Sequence, residues 1–470
     1  MNFFRRTPYP IATGAERPRY SDSAVVSQAL RSSALVESVV GNIASIGVVA
    51  VLASGGVLVF MFAAAGVQGN SVVTGAYIAV ALAVAGCFGL RSKVALSFHD
   101  IFYSCLALSV IASCAPIAGT LNLKETCLLA ASLLAYPVGR RLSPLHLEAI
   151  KQACFWFCGA IAVAGAVATA IALLALTDGS RPSVFGFDAA ATLFSLPLAY
   201  FVIAFTYLDR NRSRDAVALA LFAFCNFVFA AAMVRFTLIA MTLVVFLAMT
   251  TSIRRKDRLL TLLFCVLVLS GSAGLASRPA ATAHFLGKAL EETLIAPVIA
   301  LFSGKAAKPA AVAWIEAGNC LANLPGRDSV SVRKALVLDS LSYLSRTGVM
   351  GMGLDGYSNT GCIKGYSPHN DFIQAIIEFG WLGGLSFTLL AVWPLASLFR
   401  LSSRSQDAAF VFSLCLFLVT LSCVYGRISR EISLFLVLGL AVGLLSNDRR
   451  SKRVAAIPPV AGDQLAPRRQ

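Results

Sequence analysis

One short stretch of the 470-residue chain gathers side chains able to move a proton. "YSPHNDFIQAIIEFGWLGGL", Tyr366 to Leu385, sets His369 and Asn370 directly before an apolar run. A neutral imidazole, with an ordinary pKa near ~6.5, can take the proton of an incoming hydroxyl if it sits just outside an apolar segment. The plainer reading of His369 and Asn370 is a pair of interfacial hydrogen-bonding groups. "DFIQ", Asp371 to Gln374, reads as a capping box opening a helix with Phe372, Ile373, Ile376 and Ile377, and Glu378 follows it.

Four arginines supply the complementary chemistry. Arg235, in "AAAMVRFTLIAM", interrupts two apolar runs, where arginine costs roughly 2.5 to 3.5 kcal/mol at a bilayer centre unless it reaches the headgroups. Arg427 and Arg430 stand in "YGRISRE", where Arg430 beside Glu431 also reads as a local ion pair, and Arg333 stands in a long polar segment. A guanidinium presents a planar fork of donors to phosphate oxygens, each charge-assisted bond being worth roughly 1.5 to 3 kcal/mol. Together they point to an anionic group, most simply a diphosphate. Holding a diphosphate through a metal instead calls for paired carboxylates such as Asp-x-Asp, which the chain does not contain; Glu316, Asp328, Asp339 and Asp355 are isolated. The expectation is chemistry with no metal and no other cofactor.

Other motifs carry less. "GMGLDG", Gly351 to Gly356, matches the glycine spacing of a dinucleotide loop but lacks the strand before it, and reads as a flexible turn. His99 and His146 read as interfacial or loop residues on the opposite side, and His284 as a solvated position on an amphipathic helix.

The elements that position these residues are set by composition. With 58% hydrophobic and 13% charged residues and a mean hydropathy of +0.78, the chain is an integral membrane protein. Its net charge of +16 is spread in short clusters between apolar runs, which fits membrane topology and not nucleic-acid binding. Runs near the ~20 residues that cross ~30 Å of hydrocarbon fall at about 39–66, 71–90, 96–117, 125–139, 152–177, 188–208, 216–234, 236–253, 259–276, 379–399, 408–425 and 432–446. The expected fold is all-α and polytopic, with about 12 transmembrane helices.

Lys and Arg alternate with these runs so as to place both termini, 1–37 and 447–470, in the cytoplasm, and residues 1–37 show no cleavable signal peptide. Nine spans would occupy 38–276, three more 371–446, and between them 277–370 would form one large periplasmic loop carrying nine Lys and Arg. Within it "FLGKALEETL" and "DSVSVRKALVLDSLSYL" read as amphipathic helices, the second with Val337, Leu341 and Leu344 as its apolar stripe. Ten of the twelve cysteines lie in apolar segments; only Cys320 and Cys362 lie in the loop, where an oxidising compartment would let them pair if close enough.

On these residues the chain resembles a known family. "GVMGMGLDGY" followed by "SPHNDFIQAIIEFGWLGGL" is similar to the signature of the bacterial O-antigen ligase and O-antigen polymerase family: a Gly-rich turn, His-Asn, a short apolar helix, Glu-x-Gly and a Gly-rich membrane segment. The likeness is specific over about 333–390 and extends in layout over most of the chain. It implies a metal-independent inner-membrane glycosyltransferase. The donor would be an undecaprenyl-diphosphate-linked oligosaccharide, the acceptor a glycan, and a chain-length regulator a further partner. His369 matches the family histidine, Arg333 the loop arginine, and Arg235 the arginine at the end of a central helix, although Val234-Arg235-Phe236 departs from the commoner Ser-Arg-Gly. Arg427 and Arg430 match no motif and rest on topology. The implied mechanism has Arg235 and Arg333 hold the diphosphate while His369 takes the acceptor proton, with inversion at the anomeric carbon. Polymerisation of exopolysaccharide or O-antigen repeat units is slightly favoured over ligation to lipid A core; outside the family, the alternative is a 12-helix transporter.

Overall fold

A computed structural model describes residues 41–89, 96–115, 122–142, 146–176, 180–251, 258–283, 329–361, 365–424 and 426–455. Among them there is no β-strand; the bridge between Val184 and Phe187 is isolated. Each of the twelve apolar runs coincides with helix. In chain order these are α1 (Gly41–Leu52), α2 (Ser54–Ala65), α3 (Ser71–Gly89), α4 (Phe98–Cys114), α5 (Leu123–Arg141), α6 (Leu147–Leu174), α7 (Ala190–Tyr207), α8 (Arg212–Ala231), α9 (Phe236–Thr251) and α10 (Arg258–Ala276), then, beyond the long segment, α13 (Asp371–Ser402), α14 (Gln406–Ser422) and α15 (Ile432–Ala455). Two further helices, α11 (Ser329–Leu344) and α12 (Gly356–Thr360), precede α13.

Not every run makes a full crossing on length and composition. Among the described residues six helices, α6, α7, α8, α10, α13 and α15, are long and apolar enough, and α1 with α2, bent by 77°, makes a seventh. The twelve expected spans are therefore reduced to six or seven by this criterion. The others are apolar but short (α3, α4, α9 and α14) or, in α5, charged at both ends by Lys124, Glu125, Arg140 and Arg141. Those charges escape a simple hydropathy argument because two of them, Glu125 and Arg140, are buried against partners elsewhere in the protein.

α15 lies along α5 at a distance that only missing side chains permit. A Cβ on Gly139 would strike the Leu436 carbonyl, and one on Gly439 the Tyr136 carbonyl. Small residues facing each other let two helices approach when lipid tails offer no hydrophobic drive for association. α13 packs on α4 and α14, and α8 on α10.

At one end of the bundle, the start of α4 and the end of α5 are tied by a closed polar cluster. Arg140 meets Asp100 through Nε and Nη2 at 3.2 Å each, and the Tyr136 hydroxyl donates to Asp100 at 2.8 Å. Ser97 completes a capping box with Asp100. His99, expected at an interface, is instead buried beside this cluster, and His146 is half-buried with its ring against Gly41; His284 lies outside the described residues. We call this the closed end. The opposite end carries the segments around 348–370 and 423–431 and is called the loop end.

Of the expected 277–370 loop, "FLGKALEETL" and Cys320 and Cys362 lie outside the described residues. The second amphipathic helix is α11, but its buried face differs from the expected stripe: Leu336, Asp339 and Ser340 are buried while Leu341 is 45% exposed. The reason is Tyr357, whose buried hydroxyl lies 3.0 Å from the Leu336 carbonyl and 2.9 Å from an Asp339 carboxylate oxygen, its one proton within reach of both, so that α11 turns this face toward it. Leu336, Tyr357 and Ile377, with Tyr343, Leu344 and Ile373 around them, form a small satellite core that fastens this segment to the start of α13.

Candidate functional site

The loop end is organised by a break in α13. Gly380 has φ 76° and ψ 177°, a conformation open to glycine, and the helix on its two sides no longer bonds to itself there. The freed groups are taken by the Gly-rich turn. Met352 N–H donates to the Ile377 carbonyl at 2.9 Å, Gly353 N–H to the Glu378 carbonyl at 2.8 Å, and Trp381 N–H to the Gly348 carbonyl at 3.1 Å. Gly351 must be glycine, because a Cβ would strike the Glu378 carbonyl and the Gly380 nitrogen. "GMGLDG" is thus pinned against the helix break and is not the flexible turn expected from its composition.

Above the break, the short first segment of α13 starts one residue earlier than the capping-box reading. Asn370 is the cap: its Oδ1 accepts from Ile373 N–H at 3.0 Å while its Nδ2 donates to the Cys423 carbonyl at 2.9 Å, joining the start of α13 to the end of α14. Asp371 is thereby moved into the first turn and wholly buried. Gln374 turns inward as well, donating to Glu378 at 3.1 Å and accepting from Ile428 N–H at 3.4 Å. His369 stands immediately before the cap, half-buried, with φ 55°. A left-handed non-glycine residue costs about 1 to 2 kcal/mol. Histidine held so, between a proline and a cap that pairs with another helix, has its backbone conformation set by the fold and not by local preference.

Around this mouth lies an unusual density of buried acids. Glu125 of α5 accepts from Arg430 at 2.6 Å and from the Ser429 hydroxyl at 2.7 Å, with the Arg427 Nε 3.5 Å away. Arg427 also reaches Asp355 at 2.5 Å, and Glu378, fully buried, faces both Asp355 and Arg427. Deeper still, the carboxyls of Asp371 and Glu431 face each other and the Ser422 hydroxyl, although neither oxygen of Asp371 nor the Ser422 hydroxyl reaches full hydrogen-bond geometry. A Cβ on Gly426 would strike the Asp371 carboxylate. Two carboxyls placed so close repel each other when both carry charge. Burial pushes Glu431 up to about 7, against an ordinary 4.5.

The expected residues thus fall into three groups. Arg427, Arg430, Asn370 and Glu378 are brought together with the start of α13, next in sequence to His369. Arg427 and Arg430 are held there by Glu125 and Asp355, and the ion pair between Arg430 and its neighbour Glu431 is replaced by one to Glu125, three hundred residues away in sequence. Arg235 is half-buried in the turn between α8 and α9, which helix alternation puts at the loop end. Arg333 is a residue of α11, and its side chain lies outside the described residues.

Sequence reasoning missed Glu125, Asp355, Asp371, Gln374, Ser422 and Glu431. The signal was there for the carboxylates. An acid bordering an apolar run is expensive in a membrane and marks either a partner or a function. Among the described residues no three His, Cys, Asp or Glu side chains converge as metal ligands.

A cavity of about 530 Å³ opens beside this cluster, walled by α2, α3, α7 and the starts of α5 and α15, with Arg430, Glu431, Gly426 and Lys124 on its polar side. That volume lies within the range of small-molecule sites. No protein-family model matches the chain, and no curated protein sequence matches it.

Proposed function

We propose that the protein is a metal-independent membrane glycosyltransferase acting from undecaprenyl-diphosphate-linked glycans, most simply a polymerase of exopolysaccharide or O-antigen repeat units. The acceptor glycan attacks the lipid-linked donor at the loop end, taken to be the periplasmic face of a bacterial inner membrane with both termini cytoplasmic. One observation carries the reading: the "SPHND" segment that resembles the O-antigen ligase and polymerase signature has its histidine in a left-handed backbone conformation, immediately before a helix cap bound to a second helix. An imidazole so directed can take the proton of an acceptor hydroxyl as that oxygen attacks the anomeric carbon, while Arg235 and Arg333 hold the departing diphosphate. Arg427 and Arg430, each already bound to carboxylates, shape the mouth and contribute positive charge secondarily. The fully buried Glu378 supports the helix break.

The test is to place the purified protein in liposomes with undecaprenyl-diphosphate-linked repeat units and resolve the products by length. A ladder of longer lipid-linked glycans, lost with His369→Ala, is the expected result. Transfer only when lipid A core is supplied would make the protein a ligase.

A second reading draws support from the two broken helices, the α1–α2 pair bent by 77° and α13 interrupted at Gly380. Discontinuous helices are a feature of transporters. Absence of sugar transfer with either acceptor, together with uptake of labelled glycolipid or sugar into the liposomes, would favour it.

A further inference from the structure

A transfer reaction needs two seats, and the arginines assigned to the donor account for one. Arg235 lies in the turn between α8 and α9 and Arg333 in α11, and among the described residues neither element contributes to the wall of the 530 Å³ cavity. That cavity meets the His369 segment by another route: Gly426 lines it and packs on the carboxyl of Asp371, two residues after His369. Its volume suits a small ligand and not a hydrocarbon chain of bilayer length.

The wall has two characters. Leu193 and Leu196 of α7, Leu418 and Leu421 of α14 and Phe62 of α2 form an apolar side, against which the C–H face of a sugar ring can lie. The polar side begins at Asn70, which caps α3 by accepting from Val72 N–H at 2.8 Å and from Val73 N–H at 3.3 Å; its amide nitrogen has no partner among the described residues, and Gln68 and Ser71 flank it. Arg430 donates to Glu125 at 2.6 Å and is half-exposed, so other donors of its fork remain for a ligand. Lys124 is exposed, and among the described residues no carboxylate pairs with it. It precedes Glu125 directly, so the acid that holds Arg430 brings both cations to one corner of the cavity. Glu431, the acid among the lining residues, faces Asp371 and is pushed up to about 7, so near neutral pH it carries only part of a charge. The corner is left positive.

We propose that the cavity seats a carboxylate-bearing sugar of the acceptor glycan, with the carboxylate at Lys124 and Arg430 and ring hydroxyls at Gln68, Asn70 and Glu431. The inference rests on the glycosyl-transfer reading for the role of that sugar, and deepens it by naming the acceptor's class, a glycan that contains an acidic residue. A carboxylate offers two oxygens to a guanidinium fork and gains the attraction of an ammonium; the neutral sugar, with a hydroxymethyl group in the same place, gains neither charge interaction. The selectivity belongs to Lys124 more than to Arg430, whose charge Glu125 already offsets. With the acceptor here and the donor diphosphate on other elements, both substrates are held at once beside the segment that carries His369.

The experiment titrates methyl glycosides of glucuronic, galacturonic and mannuronic acid, each against the matching neutral hexose glycoside, into the purified full-length chain in nanodiscs, with binding read by saturation-transfer NMR. At least one uronide is expected to bind about 10-fold more tightly than its neutral counterpart, a preference that shrinks as salt is raised from about 0.05 M to about 0.5 M. Lys124→Gln should remove the preference and leave the weaker binding of the neutral sugar. Thr74→Phe, which fills the cavity, should weaken both, and Ser71→Trp serves if that variant does not fold. Leu269→Trp, on the exposed face of α10, should change neither. No detectable binding, equal affinity of every uronide and its neutral counterpart, or a preference untouched by Lys124→Gln would overturn the proposal. Inorganic phosphate competing as well as the uronide would do so too, and would make the cavity a site for any small anion. The two readings fail separately. Uronide-selective binding by a wild type that transfers no sugar leaves the seat and removes the enzyme; sugar transfer undisturbed by Thr74→Phe leaves the enzyme and removes the seat.

Discussion

The two ends of the bundle are built from the same kinds of residue and solve opposite problems. At the closed end acids and bases pair off: Asp100 meets Arg140 in a two-pronged pair completed by Tyr136 and Ser97, and buried Lys151 meets Glu148 and Asp407. At the loop end five acids, Glu125, Asp355, Asp371, Glu378 and Glu431, gather around Arg427 and Arg430. Two of the acids, Asp371 and Glu431, meet each other and not a cation. Pairing each buried acid with a cation ties the closed end into a joint, whereas the loop end leaves acids in excess beside a histidine of left-handed backbone and a cavity. On the proposed function, polarity at the closed end serves the fold and polarity at the loop end the reaction.

The contrast can be broken most severely at the closed end. Arg140→Met leaves Asp100 buried without its cation and should destabilise the protein by about 3 to 5 kcal/mol, read as a lowered denaturation midpoint in detergent, with transfer per folded molecule unchanged. At the loop end the large effect should be on rate. His369→Ala is expected to cut sugar transfer by about 10²- to 10⁴-fold, with the thermal midpoint little changed, since alanine carries the same Cβ at positive φ, and with lipid binding retained. A loss of binding and of stability together would make His369 structural.

A smaller effect sharpens the comparison through pH. Because burial raises Glu431 to about 7 from 4.5, the folded state prefers its protonated form; the stability this contributes is full below 4.5 and is lost as pH rises through 7. Thermal midpoints should therefore fall between pH 5 and pH 8, by the equivalent of about 2 to 3 kcal/mol from Glu431, and Glu431→Gln should make that fall shallower. A wild-type profile already flat over that interval would mean that the Asp371–Glu431 pair is not dry. Smallest of all, Asn370→Ala removes one helix cap and its bond to the Cys423 carbonyl, with an expected loss of about 1 kcal/mol in chemical denaturation and a reduced turnover as His369 loses its fixed neighbour.

Much of this protein could be read along the chain. Over their described residues the twelve apolar runs became helix, six or seven of them long and apolar enough to cross a bilayer, because a backbone in hydrocarbon must bond within its own segment, and that requirement is local. The place of His369 and Asn370 before a helix was legible from the sequence, although the cap fell on Asn370 and not Asp371, a shift of one residue that only the reach to Cys423 decides. The α11 stripe was misplaced for a similar reason: periodicity offers several faces, and Tyr357, outside the helix, chooses among them.

What tertiary structure alone decided is which charges meet. No local pattern pairs Glu125 with Arg430 or Asp100 with Arg140, brings Asp371 against Glu431, or fits the "GMG" turn into a helix broken at Gly380. These arrangements depend on helices distant in sequence arriving side by side, and a buried charge or a freed carbonyl is stabilised by whichever partner the packing delivers. Hydrophobicity is a property of a segment and is written in its composition; electrostatic compensation is a property of a neighbourhood, and this chain forms its neighbourhoods only when folded.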